Sequence, residues 1–168
     1  MRNKTERNDP MQLLFYLVFA GLIAAADQLT KYLTVANIAL GQDVEFIPGF
    51  LGLTYVQNTG AAFSSFEGMQ WLFALIFAAF TVAVIWEYRK NTLGFRPFEW
   101  WCIAAIYGGG LGNMIDRVRL GYVVDMIETK FIRFPVFNVA DCFITCGCIA
   151  LMASLIFFNK EFWKDAKK

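Results

Sequence analysis

Residues 142–159 read Cys-Phe-Ile-Thr-Cys-Gly-Cys-Ile-Ala-Leu-Met-Ala-Ser-Leu-Ile-Phe-Phe-Asn, with no charged side chain among them. Three other runs are also uncharged: Met11 to Ala26, Met69 to Trp86 and Trp100 to Ile115. Helical continuation at either end brings each run to the roughly 20 residues of a membrane span. The chain is 58% hydrophobic, whereas soluble domains are about 45–50% apolar. We therefore predict an all-α membrane fold of four transmembrane helices in a single domain, residues 1–168.

Basic residues cluster in three segments that an even number of spans places on one side of the membrane. They are Arg2, Lys4, Arg7, Arg89, Lys90, Arg96, Lys160, Lys164, Lys167 and Lys168. Positive charge marks the cytoplasmic side, and residues 33–67 contain no Lys or Arg. The third connection opposes this trend with Arg117, Arg119, Lys130 and Arg133. The larger group predicts that both termini are cytoplasmic.

The N-terminus has a competing interpretation as a cleavable signal peptide. A basic start, an apolar core and the run Ala24 to Ala26 are typical of such leaders. However, Asp27 and Lys31 follow at the i,i+4 spacing of a continuing helix. We therefore favour a retained first span.

The first connection is about 37 residues long and is too long to be structureless in a compact protein. Residues 44–56 are rich in β-branched and aromatic side chains and are interrupted by Pro48 and Gly49. This pattern predicts a hairpin. We therefore expect a small β-sheet on the extracytoplasmic surface, continuing into the segment from Gln57 to Phe63.

Two aspartates, Asp125 and Asp141, lie 16 positions apart in otherwise apolar stretches. An apolar environment raises a carboxyl pKa, and two facing carboxyls can act as acid and base on water. The alternative is that Asp125 is a loop acid and Asp141 caps a helix. If Asn138 is the N-cap of the fourth helix, Asp141 is its N3 residue. Our hypothesis is that Asp141 ionises more readily and that Asp125, on a loop, carries the shared proton.

Further polar residues map to the same outer membrane boundary from every part of the chain. Polar groups at this depth are costly and tend to face a bundle interior or a wet cavity. We therefore predict a functional site that includes Asp27, Lys31, Asn58, Asn113, Asp116, Arg117 and Asn138 beside the two aspartates.

The chain contains no histidine, which removes Ser-His-Asp and Cys-His triads and the usual zinc sites. A Ser/Lys dyad using Ser64 or Ser65 is weak, because the nearest lysine, Lys31, has its own acid partner in Asp27. Cys142 and Cys146 share a helix face but Cys148 does not, so we expect no metal site. Paired carboxylates need no cofactor. The basic tracts are short and mixed with acids, so we expect no nucleic-acid partner.

Five motifs, in order along the chain, resemble the bacterial lipoprotein signal peptidases, or signal peptidase II. They are Asp27-Gln28-Leu29-Thr30-Lys31, Asn58-Thr59-Gly60-Ala61-Ala62-Phe63, Gly110-Leu111-Gly112-Asn113-Met114-Ile115-Asp116-Arg117, Gly121-Tyr122-Val123-Val124-Asp125 and Phe137-Asn138-Val139-Ala140-Asp141. The resemblance implies an aspartic endopeptidase of the bacterial inner membrane. It also implies a substrate, a diacylglyceryl-modified prolipoprotein cut on the N-terminal side of its lipidated cysteine.

The resemblance also assigns roles to individual residues. It implies that Asp125 and Asp141 are catalytic. It implies that a substrate-binding and supporting set consists of Asp27, Lys31, Asn58, Gly60, Asn113, Asp116, Arg117 and Asn138. Met126 stands where many members have Phe, an apolar exchange that affects only local packing. We expect a monomer in contact with membrane lipid, with its active site near the outer face.

Two other functions use the same carboxylates. An intramembrane aspartic peptidase of another kind would carry Gly-x-Gly-Asp, but Val123 and Val124 precede Asp125. A proton-coupled transporter is disfavoured because four short spans leave little room for alternating access and no repeated half is visible.

The orientation can be tested with a reporter that is active only outside the cytoplasm. Fused after Lys168, it should give no signal, because the basic segments hold the C-terminus inside. The same reporter, inserted near Gly68 between the predicted hairpin and the second span, should be active. Strong signal from the C-terminal fusion would mean an odd number of spans or an inverted chain.

Overall fold

The computed structural model describes residues 9–60, 68–159 and 162. Its helices are α1 (Pro10–Asn37), α2 (Gln70–Lys90), α3 (Pro97–Leu120) and α4 (Val139–Ala153), which continues as the π-helical turn Ser154–Phe158. Its strands are β1 (Asp43–Ile47), β2 (Leu51–Asn58) and β3 (Val123–Thr129). Several predicted topology signals lie outside the described residues, namely Arg2, Lys4, Arg7, Lys160, Lys164, Lys167 and Lys168.

Three of the described helices are long and apolar enough to cross a membrane: α1, α2, and α4 with its π-helical turn. Their outward faces carry large apolar side chains that no other part of the described chain covers, including Leu22, Val82 and Phe157, which are 63%, 66% and 71% exposed. Such surfaces suit a bilayer rather than water. The chain is therefore membrane-integral, as its composition predicted.

Helix α3 also has the length of a span, with 24 residues, but it is less apolar than the other three. It contains four glycines and one asparagine, and charged residues occupy both of its ends. These residues instead serve internal packing, because α3 lies against α1, α2 and α4. Of the four spans predicted, three are therefore borne out by helices of the described chain that meet the criteria for a span.

Glycines let α3 approach its neighbours at backbone distance. A Cβ atom built on Gly108 would lie 2.6 Å from the carbonyl oxygen of Ala20 in α1. One built on Gly109 would lie 2.5 Å from the carbonyl oxygen of Ala140 in α4. Glycines therefore mediate close helix packing on two sides of α3.

The three strands form one antiparallel sheet in the order β1-β2-β3. The predicted hairpin is confirmed: β1 and β2 flank a turn at Pro48 and Gly49, where Gly49 has a φ of 67° that favours glycine. The third strand was not predicted. Val123–Thr129 pairs with β2 so that Val56 lies opposite Asp125. The expectation that Asp125 lies on a loop is therefore wrong, because this β-branched run adds an edge to the hairpin.

Substitution of Gly109 tests the close approach of α3 to α4. Gly109→Ala should lower the free energy of unfolding by about 1–3 kcal/mol, since its Cβ overlaps backbone that cannot move freely. Gly21→Ala is the matched control in α1, because a Cβ there meets nothing within 4 Å. Thermal unfolding in detergent should separate the two variants. Equal melting temperatures would contradict the packing described.

Candidate active site

Helix α4 begins with a reciprocal cap that fixes Asp141. The side-chain Oδ1 of Asn138 accepts a hydrogen bond from the Asp141 N–H at 3.0 Å, and the Asp141 Oδ2 accepts one from the Asn138 N–H at 3.1 Å. Asn138 is thus the N-cap and Asp141 the N3 residue, as predicted. The carboxylate lies at the positive end of the helix dipole, where negative charge is stabilised.

Asp125 lies on β3 and is 2% exposed. Its Oδ2 accepts a hydrogen bond from Asn58 Nδ2 at 2.8 Å, and its Oδ1 accepts one from Asn138 Nδ2 at 2.6 Å. The amide of Asn58 is itself oriented, because its Oδ1 accepts the N–H of Gly60 at 3.0 Å. Both carboxylate oxygens therefore have fixed donors.

Two asparagine amides connect the aspartates. Asn138 Nδ2 also donates to Asn113 Oδ1 at 3.1 Å, and Asn113 Nδ2 donates to Asp141 Oδ1 at 2.8 Å. Asp125 and Asp141 line one cavity of about 730 Å³. Two carboxyl groups that share a cavity and a network of amide donors can act together on a substrate placed between them.

Burial raises the pKa of Asp125 to about 6, and the negative charge of Asp141 adds to this rise. The hydrogen bonds from Asn58 and Asn138 and the charge of Lys31 act in the opposite direction. A carboxyl with a pKa near 6 carries its proton in about half of the molecules at pH 6 and in about a tenth at pH 7. This direction agrees with the hypothesis that Asp125 carries the shared proton.

A buried ion triad lies behind the carboxylates. The Lys31 ammonium is 2.8 Å from Asp27 Oδ2 and 3.0 Å from Asp116 Oδ2, and it donates to Asn113 Oδ1 at 2.8 Å. Asp27 is 0% exposed, and Lys31 and Asp116 are each 3% exposed. The predicted i,i+4 pair in α1 is therefore present, and Asp116 joins it from α3.

Each acid of the triad holds the backbone next to one of the two aspartates. Asp27 Oδ1 accepts the N–H of Ala140, the residue before Asp141, at 2.9 Å. Asp116 Oδ2 accepts the N–H of Val124, the residue before Asp125, at 3.0 Å. One cation thus links the two chain segments that carry the carboxylates.

Arg117 also lines the cavity. Its Nη2 donates to the Gly60 carbonyl at 3.3 Å, and its guanidinium lies 4.2 Å from the ring centroid of Phe73. Its Nε is buried without a hydrogen-bond partner within residues 9–60, 68–159 and 162. The site therefore presents an unsatisfied charged donor beside the carboxylates.

All ten predicted site residues are described, and the structure brings them to one region. The rest of the second motif, Ala61 to Phe63, and the alternative nucleophiles Ser64 and Ser65 lie outside the described residues. No group of three or more His, Cys, Asp or Glu side chains in the described part of the chain could hold a metal ion.

A family profile described as Signal peptidase (SPase) II matches residues 18–157. The chain belongs to the signal peptidase II family. A lipoprotein signal peptidase of Enterococcus faecalis is 45% identical over 150 residues, which cover 88% of this chain and 91% of that protein. One of Streptococcus agalactiae is 45% identical over 155 residues, covering 92% and 96%. One of Streptococcus pyogenes is 46% identical over 148 residues, covering 86% and 90%.

Two solved structures, each described as a bacterial membrane enzyme, share the fold. One has a TM-score of 0.76 at 31% identity and covers 87% of this chain and 92% of its own. The other has a TM-score of 0.77 at 33% identity and covers 86% and 94%. The helices and sheet described above are therefore shared with these two bacterial membrane enzymes.

Sequence reasoning missed some residues of this signal peptidase II site. Gln28 was quoted in a motif without a role, yet its Nε2 donates to Asp116 Oδ1 at 2.8 Å and to the Gly112 carbonyl at 3.1 Å. The apolar wall that Phe73, Phe77 and Phe80 of α2 contribute to the cavity was also missed. Their i, i+4, i+7 spacing is the signal that could have revealed it.

Removal of the Lys31 charge should strongly destabilise the folded protein. Lys31→Met leaves the carboxylates of Asp27 and Asp116 buried together without a cation, which should lower the free energy of unfolding by about 3–5 kcal/mol. Lys130→Met is the matched control, because Lys130 pairs with Asp43 and Glu128 at the surface and such pairs contribute little. Thermal unfolding in detergent measures both. A Lys31→Met protein as stable as the control would exclude the triad as a structural element.

The raised pKa of Asp125 predicts a pH dependence of stability. Unfolded Asp125 ionises near its ordinary value of 3.8 and folded Asp125 near 6. The folded state therefore binds more protons between these values, and stability falls as pH rises through this window. The loss should total about 3 kcal/mol by pH 7. The difference in unfolding free energy between wild type and Asp125→Asn should shrink by this amount, and a constant difference from pH 4 to 7 would contradict the shift.

Proposed function

We propose that this chain is a lipoprotein signal peptidase that removes the signal peptide from diacylglyceryl-modified prolipoproteins, cutting on the N-terminal side of the lipidated cysteine. The observation that carries this proposal is the placement of Asp125 and Asp141 in one cavity whose lining is otherwise mostly apolar. The relatives named lipoprotein signal peptidases support it, because they match the chain over nearly its whole length.

Asp125 and Asp141 are the proposed catalytic residues, and water is the nucleophile. Asp141, with two donors and a helix N-terminus, acts as the base that takes a proton from water. Asp125, with its raised pKa, supplies a proton to the carbonyl oxygen of the scissile peptide. Collapse of the tetrahedral intermediate then passes a proton to the leaving amine. No metal or other cofactor takes part in this scheme.

The remaining polar residues bind and orient the substrate peptide. The unsatisfied Nε of Arg117 suits a peptide carbonyl, which would supply the missing acceptor. Asn58, Asn113 and Asn138 hold the carboxylates, and the Gly60 carbonyl accepts a hydrogen bond from Arg117. The triad of Asp27, Lys31 and Asp116 supports this arrangement from behind.

The apolar walls suit the lipidated part of the substrate. Phe73, Ile76, Phe77 and Phe80 of α2 line the cavity together with Ile106 and Ile144. Acyl chains and an apolar signal helix would both lose water-accessible or lipid-accessible area against these side chains. A cavity lined by both carboxylates and aromatic rings matches a substrate that has a peptide bond next to a lipid.

The membrane placement is part of the proposal. The chain is a single-domain, monomeric protein of the bacterial cytoplasmic membrane, with four spans that include α3. Both termini are cytoplasmic and the active site lies near the outer face. The basic residues Arg89, Lys90 and Arg96 at the ends of α2 and α3 support this orientation. The sheet and both aspartates lie at the opposite ends of these helices.

Isosteric substitution tests the carboxylate pair. Asp125→Asn and Asp141→Asn should each abolish turnover while folded protein and substrate binding persist, because an amide cannot exchange the required proton. Asp43→Asn is the matched control, since Asp43 is an exposed strand residue paired with Lys130. The assay follows uncleaved lipidated precursor beside the amount of folded enzyme in the membrane.

The double variant adds a second criterion. Members of one catalytic unit are not additive, so Asp125→Asn with Asp141→Asn should be scarcely worse than either single change. Near-normal cleavage by either single variant at normal abundance would refute the paired-carboxylate mechanism. The alternative of a Ser/Lys dyad that uses Ser64 or Ser65 would then have to be tested.

A further inference from the structure

The cavity also contains two thiols that the proposed mechanism does not use. All four cysteines of the chain are free, and two of them, Cys142 and Cys146, line the cavity that holds Asp125 and Asp141. They lie at i,i+4 positions on α4, so their side chains share one helix face. Cys142 directly follows Asp141, and Cys146 lies about 6 Å farther along the helix axis.

Exposure and position together distinguish this pair from the other two cysteines. Cys146 is exposed and Cys142 is partly exposed, whereas Cys102 is buried in α3. Cys148 is partly exposed but does not line the cavity. A thiol reacts with an external reagent only where the reagent can reach it. The chain therefore provides two cavity thiols and two internal controls.

We propose that Cys142 and Cys146 form a thiol modification site inside the cavity for neutral, apolar, soft electrophiles. An adduct on either sulfur occupies the space that the substrate peptide or its lipid requires, and cleavage stops. The blockade of cleavage rests on the proposed function, whereas formation of the adduct does not.

The reagent class follows from the walls of the cavity. Apolar side chains, among them Phe77, Ile106 and Ile144, make up most of the lining of the cavity. A neutral reagent with an alkyl chain enters a cavity with such walls favourably from the bilayer. A fixed negative charge is disfavoured both by these walls and by the carboxylates of Asp125 and Asp141.

The reaction requires no redox partner. The thiol of Cys142 or Cys146 adds across the carbon–carbon double bond of a maleimide. A carbon–sulfur bond forms, the π bond of the alkene breaks, and the thiol proton ends on the adjacent carbon. No oxidant, reductant or leaving group is involved, and the product is a stable thioether.

The experiment treats the purified full-length protein with N-octylmaleimide, maps adducts by peptide mass spectrometry and measures cleavage of a lipidated model substrate. Wild type should carry adducts on Cys142, Cys146 or both and should lose at least tenfold in rate. Cys142→Ala with Cys146→Ala should keep its own untreated rate after the same exposure. Cys102→Ala with Cys148→Ala is the matched control and should be inactivated like wild type.

The second comparison is between the labelling rates of a charged and a neutral maleimide. A sulfonated maleimide should label the two cavity thiols at least tenfold more slowly than N-octylmaleimide. Equal rates would overturn the proposed reagent class. Absence of adducts on both sulfurs, under conditions that label them in unfolded protein, would overturn the site itself.

The activity readout separates this proposal from the proposed function. Adducts on both thiols with unchanged cleavage would overturn the blockade, as would equal inactivation of the Cys142→Ala, Cys146→Ala protein. If untreated wild type does not cleave the substrate, the proposed function fails. Adduct mapping then still decides whether Cys142 and Cys146 are reachable by the apolar reagent.

Discussion

The arrangement of the site depends on the ammonium group of Lys31. Its three donors go to Asp27, Asp116 and Asn113, so every proton it carries is used within the protein. Burial of two carboxylates and one ammonium is expensive, and a well-packed apolar cluster would often be at least as stable. The gain from this triad is therefore geometric. Its two carboxylates give fixed hydrogen-bond acceptors to the backbone N–H groups of Ala140 and Val124, at the starts of α4 and β3.

The geometry connects parts of the chain that are distant in sequence. Asp27 of α1 holds the first turn of α4, and Asp116 of α3 holds the start of β3. Both contacts are made to the residue immediately before an aspartate that faces the cavity. A shift of either carboxylate would thus break a charge-assisted hydrogen bond to a buried acid, which is among the stronger interactions available. The positions of Asp125 and Asp141 are therefore both fixed by contacts with the same buried ion triad.

The sequence predicts much of this arrangement because its strongest signals are local. Uncharged runs locate the helices, Pro48 and Gly49 locate the hairpin, and the Asn138-to-Asp141 spacing is that of a capping box. Strand β3 was not predicted, because its run from Val123 to Thr129 follows a helix directly and its pairing with β2 crosses about 70 residues of chain. Register between distant strands leaves little local trace.

The site residues were predictable as a set, but their partners were not. Asp27 and Lys31 pair at a helical spacing that can be read directly, whereas the contact of Asp116 with Lys31 rather than with Arg117 depends on how α1 and α3 face each other. The same is true of Gln28, whose amide reaches α3 only in the folded chain. Contacts across helix interfaces are decided by rotation about the helix axes, which periodicity constrains only to a face.

The buried polar site depends on the close helix packing that the glycines of α3 allow. Asp27 of α1 reaches the Ala140 N–H of α4 because both helices lie against the backbone of α3. A Cβ on Gly112 would lie 2.5 Å from Asp27 Oδ2, so even alanine there would occupy the place of the carboxylate. Without side chains at this position, a charged group can be enclosed on all sides by protein and kept from lipid. Close helix packing is therefore the condition under which a membrane protein can hold a buried triad and, through it, position two aspartates.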